Sequence, residues 1–274
     1  MDLKTLLVHI DAEAPSPALI RCAIDMAQRH GAGLFGVAGV QPAAARVGFD
    51  GAALAAAWYA EEREQAEAAL KRAEDQFYAL VPKQTKHGFR SFLDSPNAAV
   101  AAMAHRADLI LVGSHPAGRA DHERHLDVGE LVLAAGRPVL VVGSGVMQVW
   151  ADKVVIAWKD TREARRAVAD ALPLLRTASE VLVAVVDEGD EHAARQSADE
   201  LAGWLDSHGV NPRSALLALE EGGHAATIAE AAERMGADLV VAGGYGHSRM
   251  REWLLGGMTR GLLAETTLNR LFSN

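Results

Sequence analysis

One pattern occurs twice in this sequence, and it constrains the fold more than any other feature. Ala107-Asp108-Leu109-Ile110-Leu111-Val112-Gly113-Ser114 returns 130 residues later as Ala237-Asp238-Leu239-Val240-Val241-Ala242-Gly243-Gly244. A second pair stands near the start of each copy: Lys4 to Asp11 and Lys153 to Lys159 both run from a short apolar stretch into polar residues. The period is too long for a solenoid, whose units span about 20–50 residues. Two copies in a chain of 274 residues point instead to a duplicated domain. Gly143-Ser144-Gly145 marks the seam and residues 146–151 a short linker, so the expected domains are 1–145 and 151–274.

Each half alternates apolar runs with helical patterns. The spacing predicts strands over 4–10, 33–40, 87–93, 108–113 and 138–142, with helices over 16–30, 52–80, 96–106 and 127–135. The second half repeats the plan, with strands over 153–158, 180–186, 213–219 and 238–243 and helices over 161–176, 190–208, 223–236 and 257–266. Runs such as Leu109-Ile110-Leu111-Val112 and Pro138-Val139-Leu140-Val141-Val142 have no alternation of period two. Such strands are buried on both faces, as in a parallel sheet covered by helices. The expected class is therefore α/β, with right-handed crossovers and an open parallel sheet in each half.

Composition narrows the function. Half of the residues are hydrophobic but only 5% are aromatic, so the core must be made of Ala, Leu and Val. With 27 Lys and Arg against 36 Asp and Glu, the net charge is −9. That balance disfavours nucleic acid and anionic membrane as partners, since both need a basic footprint. The single Cys22 rules out an intramolecular disulfide and fits a reducing cytoplasm. No apolar run reaches the roughly 18 residues of a membrane span. The opening segment carries an acid at position 2 and a very short apolar run, which does not read as a signal peptide.

In open α/β sheets ligands bind beyond the carboxyl ends of the strands. There the second half carries Gly243-Gly244-Tyr245-Gly246-His247-Ser248-Arg249-Met250-Arg251, then Gly256-Gly257-Met258-Thr259-Arg260 at the start of the last helix. Glycines let the backbone come close to a ligand, and a glycine-rich loop entering a helix offers free N–H groups to phosphate. Ser248, Thr259, Arg249, Arg251 and Arg260 add donors. The competing reading is a pair of loops whose glycines only make turns.

The spacing Gly243-x2-Gly246-x9-Gly256 resembles the signature of the universal stress protein family, and the whole chain is similar to its tandem two-domain bacterial form. The resemblance implies two five-stranded parallel sheets of a Rossmann-type, adenine nucleotide alpha hydrolase-like plan, paired through their last strands as a pseudo-twofold pair. It also implies ATP or a related adenine nucleotide in the cleft, with magnesium as an optional companion, and a stress-response role. On that basis Gly243, Gly246, His247, Ser248, Gly256, Gly257 and Thr259 would hold the phosphates, and Ala157, Trp158, Lys159 and Val186 would lie about the base. Family members that bind ATP place an Asp after the first strand. Asp11 matches it in the first half, whereas Lys159 stands there in the second. Gly257 replaces the usual Ser or Thr, and in the first half Pro116 takes the place of the second glycine, with Asp127 and Glu130 nearby to repel phosphate. The first site is therefore expected to be empty and the second to bind with altered contacts.

Other features carry less. His115, His122 and His125 lie in a loop with Asp121, Glu123 and Asp127; a zinc site is the weaker reading there against a solvated polar loop. Cys22 reads as a buried thiol, Trp158 equally as a stacking surface or as packing at the sheet end. The 52–80 helix reads as an exposed charged face with a Glu67–Lys71 pair. No nucleophile elbow and no Walker A motif is present, so no more than slow ATP hydrolysis is expected. A nucleotide-free interaction module is the alternative, with a homodimer or another protein as its partner. Asn269 and Arg270 interrupt the last apolar segment, which predicts a short or irregular edge strand and a weakened pairing there.

Overall fold

Every predicted strand and helix forms, and their hydrophobic periods explain why. In the computed structural model, which describes residues 2–43, 52–114, 124–245, 257–265 and 267–274, the first half runs β1 (Thr5–His9), α1 (Pro17–His30), β2 (Gly33–Gly39), α2 (Ala52–Leu80), β3 (His87–Phe92), α3 (Pro96–Ala104), β4 (Leu109–Gly113), α4 (Val128–Ala134) and β5 (Val139–Val142). The second half runs β6 (Lys153–Ala157), α5 (Arg162–Leu175), β7 (Glu180–Val186), α6 (Glu191–Ser207), β8 (Pro212–Leu217), α7 (His224–Met235), β9 (Leu239–Gly243), α8 (Gly257–Ala264) and β10 (Arg270–Ser273).

The strands make one ten-stranded sheet in the order β3-β2-β1-β4-β5-β10-β9-β6-β7-β8. Each half thus contributes five strands in the same order, and all are parallel within a half. The halves join where β10 lies antiparallel to β5, with Leu271 opposite Leu140. Strand residues alternate between two cores. Val154, Ile156 and Trp158 face α1, α2, α5 and α6, while Val155 and Ala157 face α3, α4, α7 and α8. Covering both faces is what lets Leu109, Ile110, Leu111 and Val112 be apolar in succession, each at most 1% exposed.

The last strand departs from expectation. β10 is short, as expected, and pairs with β5 as the resemblance implies, but it runs regularly in register from Arg270 to Phe272 in place of an irregular strand. Asn269 joins the halves: its Oδ1 accepts from the Gly143 N–H at 2.9 Å and its Nδ2 donates to Asp238 O at 2.7 Å. Arg270 is fully buried and donates to the carbonyls of Leu262 (2.8 Å) and Glu265 and to Ser114 Oγ (2.9 Å). It ties the last turn of α8 to the end of β4. Burial pulls its pKa down to about 10, so it stays charged at neutral pH. Backbone groups and the Ser114 hydroxyl meet most of the pair's polar atoms, while Arg270 Nε finds no partner.

Two smaller expectations change. Glu67 pairs with Arg63 (2.8 Å) and Lys71 with Asp75 (2.8 Å), in place of a Glu67–Lys71 pair. The 146–151 segment packs against α1: Val149 and Ala151 are buried, and Arg29 Nη2 donates to Val149 O at 2.6 Å. Cys22 is buried as expected, and burial pushes its thiol up to about 11.

Candidate functional site

A cavity of about 770 Å³ opens beyond the C-terminal ends of β6, β7 and β9. Ala157, Ala184, Val186 and Ala242 form its floor on the α7/α8 face, with Ile228 behind them. The small side chains at 157, 184 and 242 leave the space that larger strand residues would fill.

Comparison of the halves shows how local this is. In the first half the pocket beside His9, Asp11 and Gly113, which match Ala157, Lys159 and Gly243, measures about 20 Å³, room for about one water. His9 stands where the second half has Ala157, and it is 2% exposed. Asp11 turns back on its own loop, its Oδ1 accepting from the N–H groups of Glu13 (2.9 Å) and Ala14 (3.1 Å), while His125 Nδ1 lies 3.5 Å from its Oδ2. Burial pushes the Asp11 carboxyl up, but those N–H groups, with His9 and His125, bring it below its ordinary value. Arg124 bridges Glu13 (2.7 Å) and Glu62 (3.4 Å).

Helix starts differ in the same sense. In the first half Ser95 caps α3 and Asp127 caps α4, where its carboxylate accepts from the Glu130 N–H at 2.9 Å. In the second half α7 starts at Gly223 with no side-chain cap, and a Cβ at Gly257 would meet nothing within 4 Å. His224, the first residue of α7, lines the cavity, so this uncapped helix start with its positive end lies beside it.

At the mouth, Lys159 Nζ lies 2.7 and 2.6 Å from the two oxygens of Glu188, and His224 Nε2 lies 3.0 Å from Oε1. The Lys159 bond, aided by His224, holds the Glu188 carboxyl below its usual value. Asp160 is held likewise by the Arg165 fork, at 2.6 and 2.8 Å. Lys159 replaces the acid of the first half, yet Glu188 returns a carboxylate from the end of β7.

The structure gathers Ala157, Trp158, Lys159, Val186, Gly243, Gly257 and Thr259 around this one cavity. Trp158 is buried in the α5/α6 core and donates its indole N–H to Ser197 Oγ at 3.0 Å, so it packs while one side lines the cavity. Gly243 has a reason of its own, since a Cβ there would fall 2.6 Å from the Ala164 nitrogen. Its missing side chain lets α5 approach the end of β9. Thr259, 3% exposed, accepts from the Tyr245 N–H at 3.2 Å and ties that turn to α8. Gly246, His247, Ser248 and Gly256 lie outside the described residues, as do Arg249, Arg251, Pro116, His115 and His122. Among the described residues no group of three metal-ligating side chains gathers. Glu188, His224 and the α6 residues were missed because they follow no motif; the exchange of His9 for Ala157 was readable by aligning the repeats.

A second groove, about 780 Å³, lies at the opposite end of the sheet against Arg29, Trp150 and Lys153. The C-terminal ends of α1 and α7, at His30 and Gly236, point into it, and Asp238 spends its carboxylate on the Lys153 and Asp152 N–H groups. Helix C-termini are the wrong polarity for phosphate.

No family model and no curated protein matches the sequence. Solved structures do. A universal stress protein from Archaeoglobus fulgidus superposes with a TM-score of 0.68 at 17% identity, over 98% of this chain and 96% of that one. A Pseudomonas aeruginosa structure described as a universal stress protein follows at 0.59 and 15%, over 99% and 93%. The cytoplasmic domain of a prokaryotic cation chloride cotransporter also matches, at 0.50 and 9%, over 99% and 95%. The same plan thus serves unlike proteins, and at these identities it is the architecture that is shared. Taken over its whole length, this chain has the fold of the universal stress proteins.

Proposed function

We propose that the chain is a tandem universal stress protein, with domains at 1–145 and 151–274, whose second domain binds an adenine nucleotide such as ATP. The observation that carries this reading is the asymmetry between the halves, about 770 Å³ of space against about 20 Å³ in one repeated architecture. The adenine would lie on the apolar floor of Ala157, Ala184 and Val186. Its phosphates would turn toward the free end of α7 and toward Gly257 and Thr259, where N–H groups favour anions. The loop residues Gly246, His247, Ser248 and Gly256 would complete that end. Lys159, with one donor left after its two bonds to Glu188, would reach a ligand acceptor. The protein would act in the cytoplasm by changing state with nucleotide, not by fast turnover.

A fluorescent ATP analogue tests this. Ala157→Phe fills the floor, and its expected effect is a loss of affinity of about tenfold or more with the thermal unfolding profile kept. No binding at millimolar nucleotide would leave the nucleotide-free interaction module as the better reading, and full affinity in Ala157→Phe would overturn the placement of the base on this floor.

A further inference from the structure

The cavity has a second arm. On the opposite face of the sheet its lining includes Trp158, Val185 and the α6 residues Ala193, Ala194, Gln196, Ser197 and Glu200. Trp158 and Val185 belong to the α5/α6 core, whereas Ala157 and Val186 belong to the α7/α8 core, so the two arms lie on opposite faces of β6 and β7. The second arm exists because α5 and α6 present Ala164, Ala193 and Ala194 toward it. Its polarity is the reverse of the first. The start of α6 is already capped by the Asp190 carboxylate, which accepts from the Ala193 N–H at 3.0 Å, and the start of α5 by Thr161. Asp190, Gln196 and Glu200 stand about it, and Ser197 Oγ already accepts from the Trp158 indole N–H. A phosphate is repelled there, while Trp158, Val185 and the alanines offer apolar surface.

We propose that the α6 arm is a subsite for an uncharged apolar group, acyl or aryl. Resting on the nucleotide reading above, this makes the ligand class a nucleotide that bears such a substituent. The total volume agrees, since about 770 Å³ lies in the upper part of the roughly 300–1,000 Å³ range of small-molecule pockets. Charge sorts the two ends of the ligand: phosphate to the free end of α7, apolar group to the acid-rimmed face of α6.

The test titrates the whole protein with N-phenyl-1-naphthylamine, an uncharged dye that brightens in apolar surroundings, with and without saturating AMP. Saturable dye binding is expected, weakened about tenfold or more by Ala193→Phe and changed less than about twofold by Ala157→Phe or by AMP. Ala193 is exposed near the start of α6, so a larger side chain there does not disturb the core; Ala194→Phe serves as the second filling variant. The proposal is overturned if the dye does not bind, if neither filling variant weakens it, or if AMP expels it. Should AMP fail to bind while the dye behaves as expected, the nucleotide reading falls and the apolar subsite stands.

Discussion

At the scale of single residues, the glycine of the phosphate-type signature has two duties. Gly243 lines the cavity, yet its nearest constraint is the backbone of Glu163 and Ala164 at the start of α5. Gly243→Val should therefore lower stability by about 1–3 kcal/mol through overpacking, read from urea unfolding, whether or not a ligand is present. A variant as stable as the parent would show that α5 yields at no cost. Glu188 carries a pH dependence whose sign is fixed. Its folded pKa lies below the unfolded value, so its contribution is present above about pH 4 and is lost as pH falls through the folded value. The pair is half exposed, so its worth stays below about 1 kcal/mol. The urea midpoints of the parent and Glu188→Gln should differ slightly at pH 7 and converge as pH falls through the lowered Glu188 value; a gap that persists at low pH would assign the effect to packing. Neither role was legible in the sequence, because the partners come from other elements: Ala164 from α5, Glu188 from β7.

At the scale of elements, the two periods predicted helices and strands well, since a strand apolar on both faces needs helices on both faces. Where the reading fell short was the polar pair that opens β10. Asn269 and Arg270 look like a broken edge because polarity was judged without the partners that satisfy it. In the fold, Arg270 serves the terminal carbonyls of α8 and the Ser114 hydroxyl together. Arg270→Leu strands those acceptors and should cost about 1–3 kcal/mol in urea unfolding. An equal or higher stability would mean that desolvating the guanidinium already cancels its bonds.

At the scale of the whole molecule, the seam converts two sheets into one. A chain of residues 1–145 alone would leave β5 as an edge strand of Val139, Leu140, Val141 and Val142, apolar and unpaired. Such edges seek partners. This half should self-associate in size-exclusion chromatography, whereas a clean monomer would show that β10 is dispensable to it. The sequence by itself determined the repeated order of strands and helices and the α/β class, because these follow from local periodicity and residue type. Only the tertiary structure decided which groups satisfy Asn269 and Arg270 at the seam, that Glu188 answers Lys159, and that residues of both cores line the cavity. Those depend on which side chains meet across distant elements, and the free energy of a buried polar group or an open space is set by such neighbours, which no local pattern specifies.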